Sequence, residues 1–171
     1  KIYKHDLTKI LKINFKPDVI IHLAAKHLFS KKGSKNIYHN NIKMTKNLIT
    51  FANEKKIKKF IFFSSVDVYG KITSKIINEN TNKQYPNSYG RSKLESEKML
   101  LDKNNKFSVV CYRIPGFFST NLSRDFPLIV KIARTIINNK KLKIFNSSSK
   151  FNNILDLKEI LKILKITIKK N

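Results

Sequence analysis

Short apolar runs alternate along the chain with longer stretches in which apolar residues recur three or four positions apart. The short runs predict strands at residues 18–24, 59–65 and 107–113, and none of them alternates between apolar and polar residues, as is typical of a sheet covered on both faces. The longer stretches predict helices at about 39–55 and 88–102. Strands that alternate with helices indicate an α/β fold with a parallel sheet.

The pattern changes beyond Pro115. It predicts a helix at about 126–139, a short apolar run at 142–145 and a polar loop at 146–149. A last helix is predicted to begin near Asp156, whose carboxylate would cap it, with Leu or Ile on one face and Lys on the other. Such a helix either docks onto the preceding domain, which we favour, or lies on a membrane surface.

Length and composition fit one α/β domain followed by part of a second lobe. The chain has 171 residues, of which 41% are hydrophobic. No segment approaches the roughly 18 apolar residues of a membrane span, and the sequence begins without a secretory signal pattern. The single cysteine, Cys111, lies in an apolar strand and is interpreted as an inert buried thiol. We therefore expect a cytoplasmic protein.

The net charge of +25 would ordinarily indicate nucleic acid or an anionic membrane as a partner. The basic residues are nearly all Lys, however, and they are spread along a chain that is also rich in Asn and Ile. Codons rich in adenine and thymine favour these three residues, so the charge is interpreted as a genome bias on solvated faces. No specific nucleic acid is expected, and no cluster of His, Cys or acidic residues has the spacing of a metal site.

A hydroxyl, a phenol and an ammonium stand at spacings suited to moving a proton. Ser65 ends a predicted strand, and Tyr89 lies 24 residues later, just after a helix-start pattern at Pro86-Asn87-Ser88. Lys93 follows four residues after Tyr89, so both side chains lie on one helical face. Because Lys is abundant here, only this context makes the pair informative.

The chemistry of such a trio follows from the pKa of a phenol, which is about 10 without perturbation. A nearby ammonium is expected to lower the pKa of Tyr89, so that the phenol exchanges a proton with a substrate hydroxyl or carbonyl. Ser65 would hydrogen-bond the same oxygen, while Lys93 would also bind a ribose hydroxyl of a nicotinamide cofactor.

These residues give the chain a resemblance to the extended short-chain dehydrogenase/reductases, also called the NAD-dependent epimerase/dehydratase family. Residues 17–25 resemble the family's fourth strand and cofactor-facing turn, and residues 40–45 resemble the helix that follows. Ser65, Tyr89 and Lys93 resemble its catalytic triad. The resemblance covers nearly the whole chain.

The resemblance implies an incomplete Rossmann-type doubly wound parallel sheet with part of a small substrate-binding lobe. Residues 1–115 would be the carboxyl-terminal part of the dinucleotide-binding domain, and residues 116–171 a partial substrate-binding lobe with a returning helix. The implied cofactor is NAD or NADP, the implied substrate a nucleotide-diphosphate sugar, and the full-length protein would be a homodimer. The cofactor contacts carried over by position are Asp6 and Leu7 for the adenine, Leu23, Ala24 and Ala25 for the middle of the dinucleotide, Asn41 for the floor of the site, Tyr89 and Lys93, and Ile114 with Pro115 for the nicotinamide.

One departure from the family concerns the glycine-rich turn that cradles the pyrophosphate. The 4 Gly of the chain are not clustered, and the first residues resemble a third strand already ending. We therefore expect an amino-terminal truncation, which would leave the strand at 18–24 as an open edge, favour aggregation and weaken cofactor binding. NAD and NADP are not distinguished, because the residue that selects between them follows the second strand.

Asp67 bears on the reaction class. It follows Ser65 by two residues on the same strand end, where dehydratases of the family keep an acid/base carboxylate, but it fits equally well as a cap of the turn into Gly70. Val66 replaces the first residue of the Asp-Glu pair usual in 4,6-dehydratases, which disfavours that reaction. The favoured hypothesis is therefore an enzyme that epimerises or reduces a nucleotide sugar. An inactive truncated remnant is the alternative, and a basic nucleic-acid-binding module is the least favoured hypothesis.

Overall fold

A computed structural model describes residues 2–27, 36–119, 128–143 and 154–169. Its contacts divide the chain into two compact units, Lys1–Ile114 and Pro115–Asn171. Among the described residues, no helix is long and apolar enough to cross a membrane.

The first unit contains a three-stranded parallel sheet in the order β1-β2-β3. The strands are β1 (Val19–His22), β2 (Lys59–Ser65) and β3 (Ser108–Ile114), so all three predicted strands are confirmed with small shifts of their ends. Ser65 is the register partner of Ile114, which places the carboxyl ends of β2 and β3 side by side. Within the described sheet β1 is an edge strand, as predicted, and residues 2–6 form no strand.

The described part of the first unit also contains two helices and one short turn of 3₁₀ helix. The helices are α1 (Ile37–Glu54) and α2 (Ser88–Leu100), and the 3₁₀ helix is Val66–Tyr69. The two helices pack against each other and share a core with the sheet, which includes Leu48, Ala52, Phe60, Phe62 and Leu100. Cys111 is half-buried and not fully buried as expected, and burial raises the pKa of its thiol to about 12, which disfavours the reactive thiolate.

The second unit contains a two-stranded parallel sheet that the sequence pattern did not predict. Its strands are β4 (Gly116–Phe118) and β5 (Ile154–Asp156). The helices α3 (Leu128–Ile137) and α4 (Leu157–Lys169) confirm the two helix predictions, and the Asp156 carboxylate caps α4 by accepting a hydrogen bond from the Lys158 N–H at 2.9 Å. Residues 142 and 143 belong to no strand, and the rest of the run at 142–145 and the polar loop at 146–149 lie outside the described residues.

Candidate active site

The hydroxyl of Ser65 lies at the carboxyl end of β2 and caps the 3₁₀ helix. Its Oγ accepts a hydrogen bond from the Asp67 N–H at 3.1 Å, and the Gly70 N–H closes the turn on the Asp67 main-chain carbonyl at 3.2 Å. The hydroxyl of Ser65 and a main-chain oxygen therefore cap the turn. The interpretation in which the Asp67 carboxylate caps the turn is wrong.

The first turn of α2 lies directly against this 3₁₀ helix. Asn87 caps α2, as predicted, because its side chain accepts a hydrogen bond from the Gly90 N–H at 2.8 Å. A Cβ placed on Gly90 would be 2.1 Å from the Asp67 carbonyl oxygen, so only glycine permits this approach. The approach brings the segment from Ser65 to Asp67 against the helical turn that carries Tyr89.

The phenol of Tyr89 is held in its protonated form. Burial, together with the negative charge of Asp67, raises the pKa of Tyr89 to about 12. The predicted lowering of this pKa by Lys93 is therefore wrong for this structure, in which the Lys93 Nζ lies 5.7 Å from the centre of the Tyr89 ring. At neutral pH the phenol is a proton donor.

The ammonium of Lys93 is buried beneath the tyrosine. Its Nζ donates a hydrogen bond to the main-chain oxygen of Phe63 at 2.7 Å and lies 4.5 Å from the centre of the Phe62 ring. Burial lowers the pKa of Lys93 to about 8, and the charge of Glu97 opposes this shift. An ammonium has three donors, so Lys93 keeps two for other acceptors.

An imidazole and a carboxylate complete the polar surroundings of Tyr89. The His27 ring lies with its centre 4.6 Å from that of Tyr89. Burial raises the pKa of Asp67, and His27 opposes this shift. Burial lowers the pKa of His27, while the charge of Asp67 acts in the opposite direction. No feature of the sequence pattern connects His27 to Tyr89, so its place beside the phenol was not predicted.

Asn41 joins the segment after β1 to α2. Its Oδ1 accepts from the Lys26 N–H at 2.7 Å, and its Nδ2 donates to the Lys26 carbonyl at 3.1 Å and to the Ser92 Oγ at 3.0 Å. Ser92 in turn donates to the Tyr89 carbonyl at 2.7 Å. Both amide donors of Asn41 are thus used within the protein, so its place beneath Tyr89 is that of a support.

His22 on β1 is a structural residue of the core. It is 3% exposed, its Nε2 lies 3.3 Å from the Thr45 Oγ1, and its ring packs against Phe60 and Phe62. Burial lowers the pKa of His22 to about 3, so the imidazole is neutral.

The segment Leu23, Ala24 and Ala25 follows β1 at the carboxyl edge of the sheet. All three residues are exposed, and Leu23 is 63% exposed. Ile114 is half-buried and ends β3 beside Ser65. An apolar surface is therefore open to solvent at the edge of the sheet where the polar groups converge.

The other residues that the resemblance assigns to the cofactor are Asp6, Leu7 and Pro115, and these assignments stay predictions. Asp6 is exposed, and its carboxylate accepts from the N–H and Oγ1 of Thr8 at 2.9 and 2.8 Å, which lowers its pKa. Leu7 packs against the edge of the core and its carbonyl accepts from Asn47. Pro115 begins the second unit.

A buried ion pair next to this site was also missed. Arg113 on β3 donates to Glu97 on α2, and the Nη2–Oε2 distance is 2.7 Å. Two signals were present in the sequence. Glu97 follows Lys93 by four residues on the same helical face, and Arg113 is a charged residue inside an apolar strand, where it requires a partner.

The chain as a whole was compared with protein-family models. The model of the NAD dependent epimerase/dehydratase family matches residues 3–170. The chain belongs to this family. The resemblance seen in the sequence is thereby confirmed, and so is the α/β fold class.

Curated members of the family resemble the chain over only part of their own length. The chain is 28% identical to a dTDP-D-glucose 4,6-dehydratase of Dictyostelium discoideum, over 91% of the chain and 39% of that protein. It is 35% identical to a UDP-glucose 4-epimerase of Caenorhabditis elegans, over 63% of the chain and 32% of that protein. The chain therefore spans less than half the length of these relatives.

Solved structures of the family share the fold. MoeE5 in complex with UDP-glucuronic acid and NAD superimposes with a TM-score of 0.83 at 17% identity, over 99% of the chain and 58% of that protein. A UDP-glucuronic acid 4-epimerase from Bacillus cereus in complex with NAD gives a TM-score of 0.75 at 24% identity, over 90% and 51%. At such identities the likeness establishes the fold alone.

Proposed function

We propose that this chain carries the acid/base site of an NAD(P)-dependent enzyme that epimerises or reduces a nucleotide-diphosphate sugar. The observation that carries the proposal is the close approach at Gly90, which packs the strand end at Ser65 against the helical turn of Tyr89 and Lys93. Family membership supports the nicotinamide chemistry, and the relatives named for UDP- and dTDP-sugars support the substrate class.

The residues at the edge of the sheet fit a nicotinamide dinucleotide. The exposed apolar segment from Leu23 to Ala25 suits the flat, partly apolar surface of such a molecule, and Lys93 has two unused donors for ribose hydroxyls. We assign these residues and Tyr89 to cofactor binding, with Asn41 as the support beneath them. A bound nicotinamide would supply the hydride acceptor and donor for the carbinol carbon of the sugar.

Tyr89 moves the proton that accompanies this hydride. In the reducing direction the protonated phenol of Tyr89 donates its proton to the carbonyl oxygen of a keto-sugar. In the oxidising direction, with which epimerisation begins, Tyr89 must first release that proton to solvent, and as a phenolate it then accepts the proton of the sugar hydroxyl. The Ser65 hydroxyl hydrogen-bonds the same oxygen. The positive charge of Lys93 favours the phenolate that forms, even though burial and the charge of Asp67 together raise the pKa of Tyr89. Epimerisation would require hydride return to the opposite face of the keto carbon and proton return from Tyr89 to the keto oxygen, whereas reduction would consume one NAD(P)H for each sugar.

Asp67 is proposed as a second acid/base group. Its carboxylate takes no part in the turn, burial raises its pKa, and its charge acts on the Tyr89 phenol. A carboxyl group whose pKa is raised and whose charge acts on Tyr89 is a candidate for proton exchange in the reaction.

Product analysis tests the proposal. The complete gene product is incubated with UDP-glucose, UDP-galactose, UDP-glucuronic acid and dTDP-glucose, each with NAD, NADP and their reduced forms, and products are identified by NMR. We expect either an epimer with no net change in reduced nicotinamide, or a reduced sugar with one cofactor oxidised for each product. A 4-keto-6-deoxy sugar would assign the dehydratase reaction instead, and no turnover with any pair would contradict the proposal.

A further inference from the structure

The ion pair between Glu97 and Arg113 is buried and lies one helical turn beyond Lys93. The Glu97 side chain is 3% exposed and that of Arg113 is 19% exposed. Arg113 donates two parallel hydrogen bonds, from Nη2 to Oε2 at 2.7 Å and from Nε to Oε1 at 3.1 Å. Such pairs fix geometry more than they stabilise, because desolvation of both charges offsets most of their attraction.

Glu97 also binds the strand that ends in Ser65. The Ser64 Oγ donates to the Glu97 Oε1 at 2.5 Å, and the residue before it, Phe63, accepts the hydrogen bond of Lys93 at 2.7 Å. Two side chains one turn apart on α2 thus bind two consecutive residues of β2. These contacts fix how far α2 can slide along the strand.

Arg113 extends the same cluster to the segment between the 3₁₀ helix and α2. Its Nη1 donates to the Tyr69 hydroxyl at 2.9 Å and to the Glu79 carbonyl at 3.0 Å. The Tyr69 hydroxyl donates in turn to the Asn78 carbonyl at 2.9 Å. This segment joins the two halves of the proposed site, so anchoring it restricts the movement of both.

We propose that Glu97 and Arg113 are positioning residues, which hold α2 in register with β2 and thereby hold Tyr89 and Lys93 opposite Ser65. This inference rests on the proposed function. The contacts on Phe63 and Ser64 support it, because they adjoin Ser65 directly, whereas a pair that served stability alone has no need of a position next to the reacting groups.

Glu97 has a second effect through its charge. Among the described residues, the charged or titratable groups close to Lys93 include Glu97 and Tyr89 on its own helix, the neutral His22 on β1, and His27 after β1. Glu97 is the one that favours the protonated ammonium. Replacing its carboxylate with an amide removes that support and leaves the positive charge of Arg113 unbalanced, so Lys93 will lose its proton at lower pH.

The substitution Glu97→Gln in the complete gene product tests the proposal. Glu95→Gln is the matched control, because Glu95 lies on the same helix in an exposed pair with Lys98 at 3.4 Å. We expect Glu97→Gln to lower kcat about 10²-fold with little change in KM, as a misplacement of about 1 Å does. The alkaline limb of the kcat/KM profile should move about one unit to lower pH. Glu95→Gln should leave both unchanged.

A readout independent of turnover separates this inference from the proposed function. The pKa of Lys93 is measured by NMR of ¹⁵N-lysine-labelled protein, with Lys93→Arg to assign the signal. If the wild type turns over no sugar, the proposed function fails, and a fall of the Lys93 pKa in Glu97→Gln but not in Glu95→Gln still supports the inference. Wild-type kcat, pH profile and Lys93 pKa in Glu97→Gln would overturn it.

If Glu97→Gln does not fold, the substitution Arg113→Lys is used to test the proposal instead. It keeps the positive charge but cannot make the two parallel hydrogen bonds. We expect kcat to fall at least 10-fold while the alkaline limb stays in place, since the charge on Glu97 is retained. Wild-type kcat in this variant would show that the paired geometry holds nothing needed for turnover, and the inference would be abandoned.

Discussion

Replacing Gly90 with alanine should damage activity far more than stability. A Cβ at this position would be 2.1 Å from the Asp67 oxygen and 2.7 Å from its carbonyl carbon. Ordinary van der Waals contact begins near 3.4 Å, so the 3₁₀ helix must move away from α2 by about 1 Å. That movement takes Ser65 and Asp67 away from Tyr89.

The two consequences of Gly90→Ala differ in size. A misplacement of about 1 Å costs on the order of 10²-fold in kcat. Overpacking costs about 1–3 kcal/mol, but alanine in a helix recovers about 1 kcal/mol relative to glycine. The free energy of unfolding should therefore fall by roughly 0–2 kcal/mol, which for a chain of this size lowers Tm by at most about 8 °C.

The assay compares kcat and Tm of Gly90→Ala with those of Gly116→Ala in the complete gene product. Gly116 is the matched control, because a Cβ there meets nothing within 4 Å. We expect normal kcat and Tm for Gly116→Ala. If Gly90→Ala also retained wild-type kcat, the close packing of the 3₁₀ helix on α2 would have no part in catalysis.

Three further substitutions probe the site and its support. Lys93→Ala should weaken cofactor binding, measured by calorimetry, and lower turnover at least 10²-fold, measured by steady-state kinetics, because the ammonium takes part in both cofactor binding and proton transfer. Cofactor binding equal to that of the wild type would contradict the cofactor role of Lys93. Asp67→Asn should lower turnover at least 10-fold with an unchanged Tm, whereas a lower Tm with normal turnover would indicate a structural carboxylate. The pKa of His22 is about 3 in the folded protein and 6.5 in the free group, so the unfolded state binds the proton more tightly and stability falls as pH drops from 6.5 towards 3. His22→Gln should therefore weaken the decline of the urea unfolding midpoint over this pH range, and an unchanged decline would contradict the linkage to His22.

Local spacing was sufficient to predict the elements that carry the candidate site. Tyr89 and Lys93 lie four residues apart in one helix, so their shared face follows from helical geometry alone. The apolar run before Ser65 and the cap at Asn87 likewise fixed the strand end and the helix start. Each of these predictions depends on neighbours within one element.

Tertiary contacts account for what the sequence could not show. The pKa of Tyr89 depends on burial and on Asp67, which packs against α2 through the 3₁₀ helix, so the expected lowering by Lys93 was wrong. The strands β4 and β5 have three residues each and are far apart in the chain, which leaves no periodicity to detect. His27 meets Tyr89 only because the segment after β1 folds against α2.

The substitution Tyr89→Phe in the complete gene product tests the central claim most directly. Turnover of the nucleotide sugar and the Kd for NAD or NADP are measured on the same preparation. Tyr89→Phe keeps the ring that we assign to cofactor binding and removes only the hydroxyl that moves the proton, so turnover should fall about 10²- to 10⁴-fold while Kd changes little. Wild-type turnover by Tyr89→Phe on every sugar that the unmodified protein accepts would contradict the proposed mechanism.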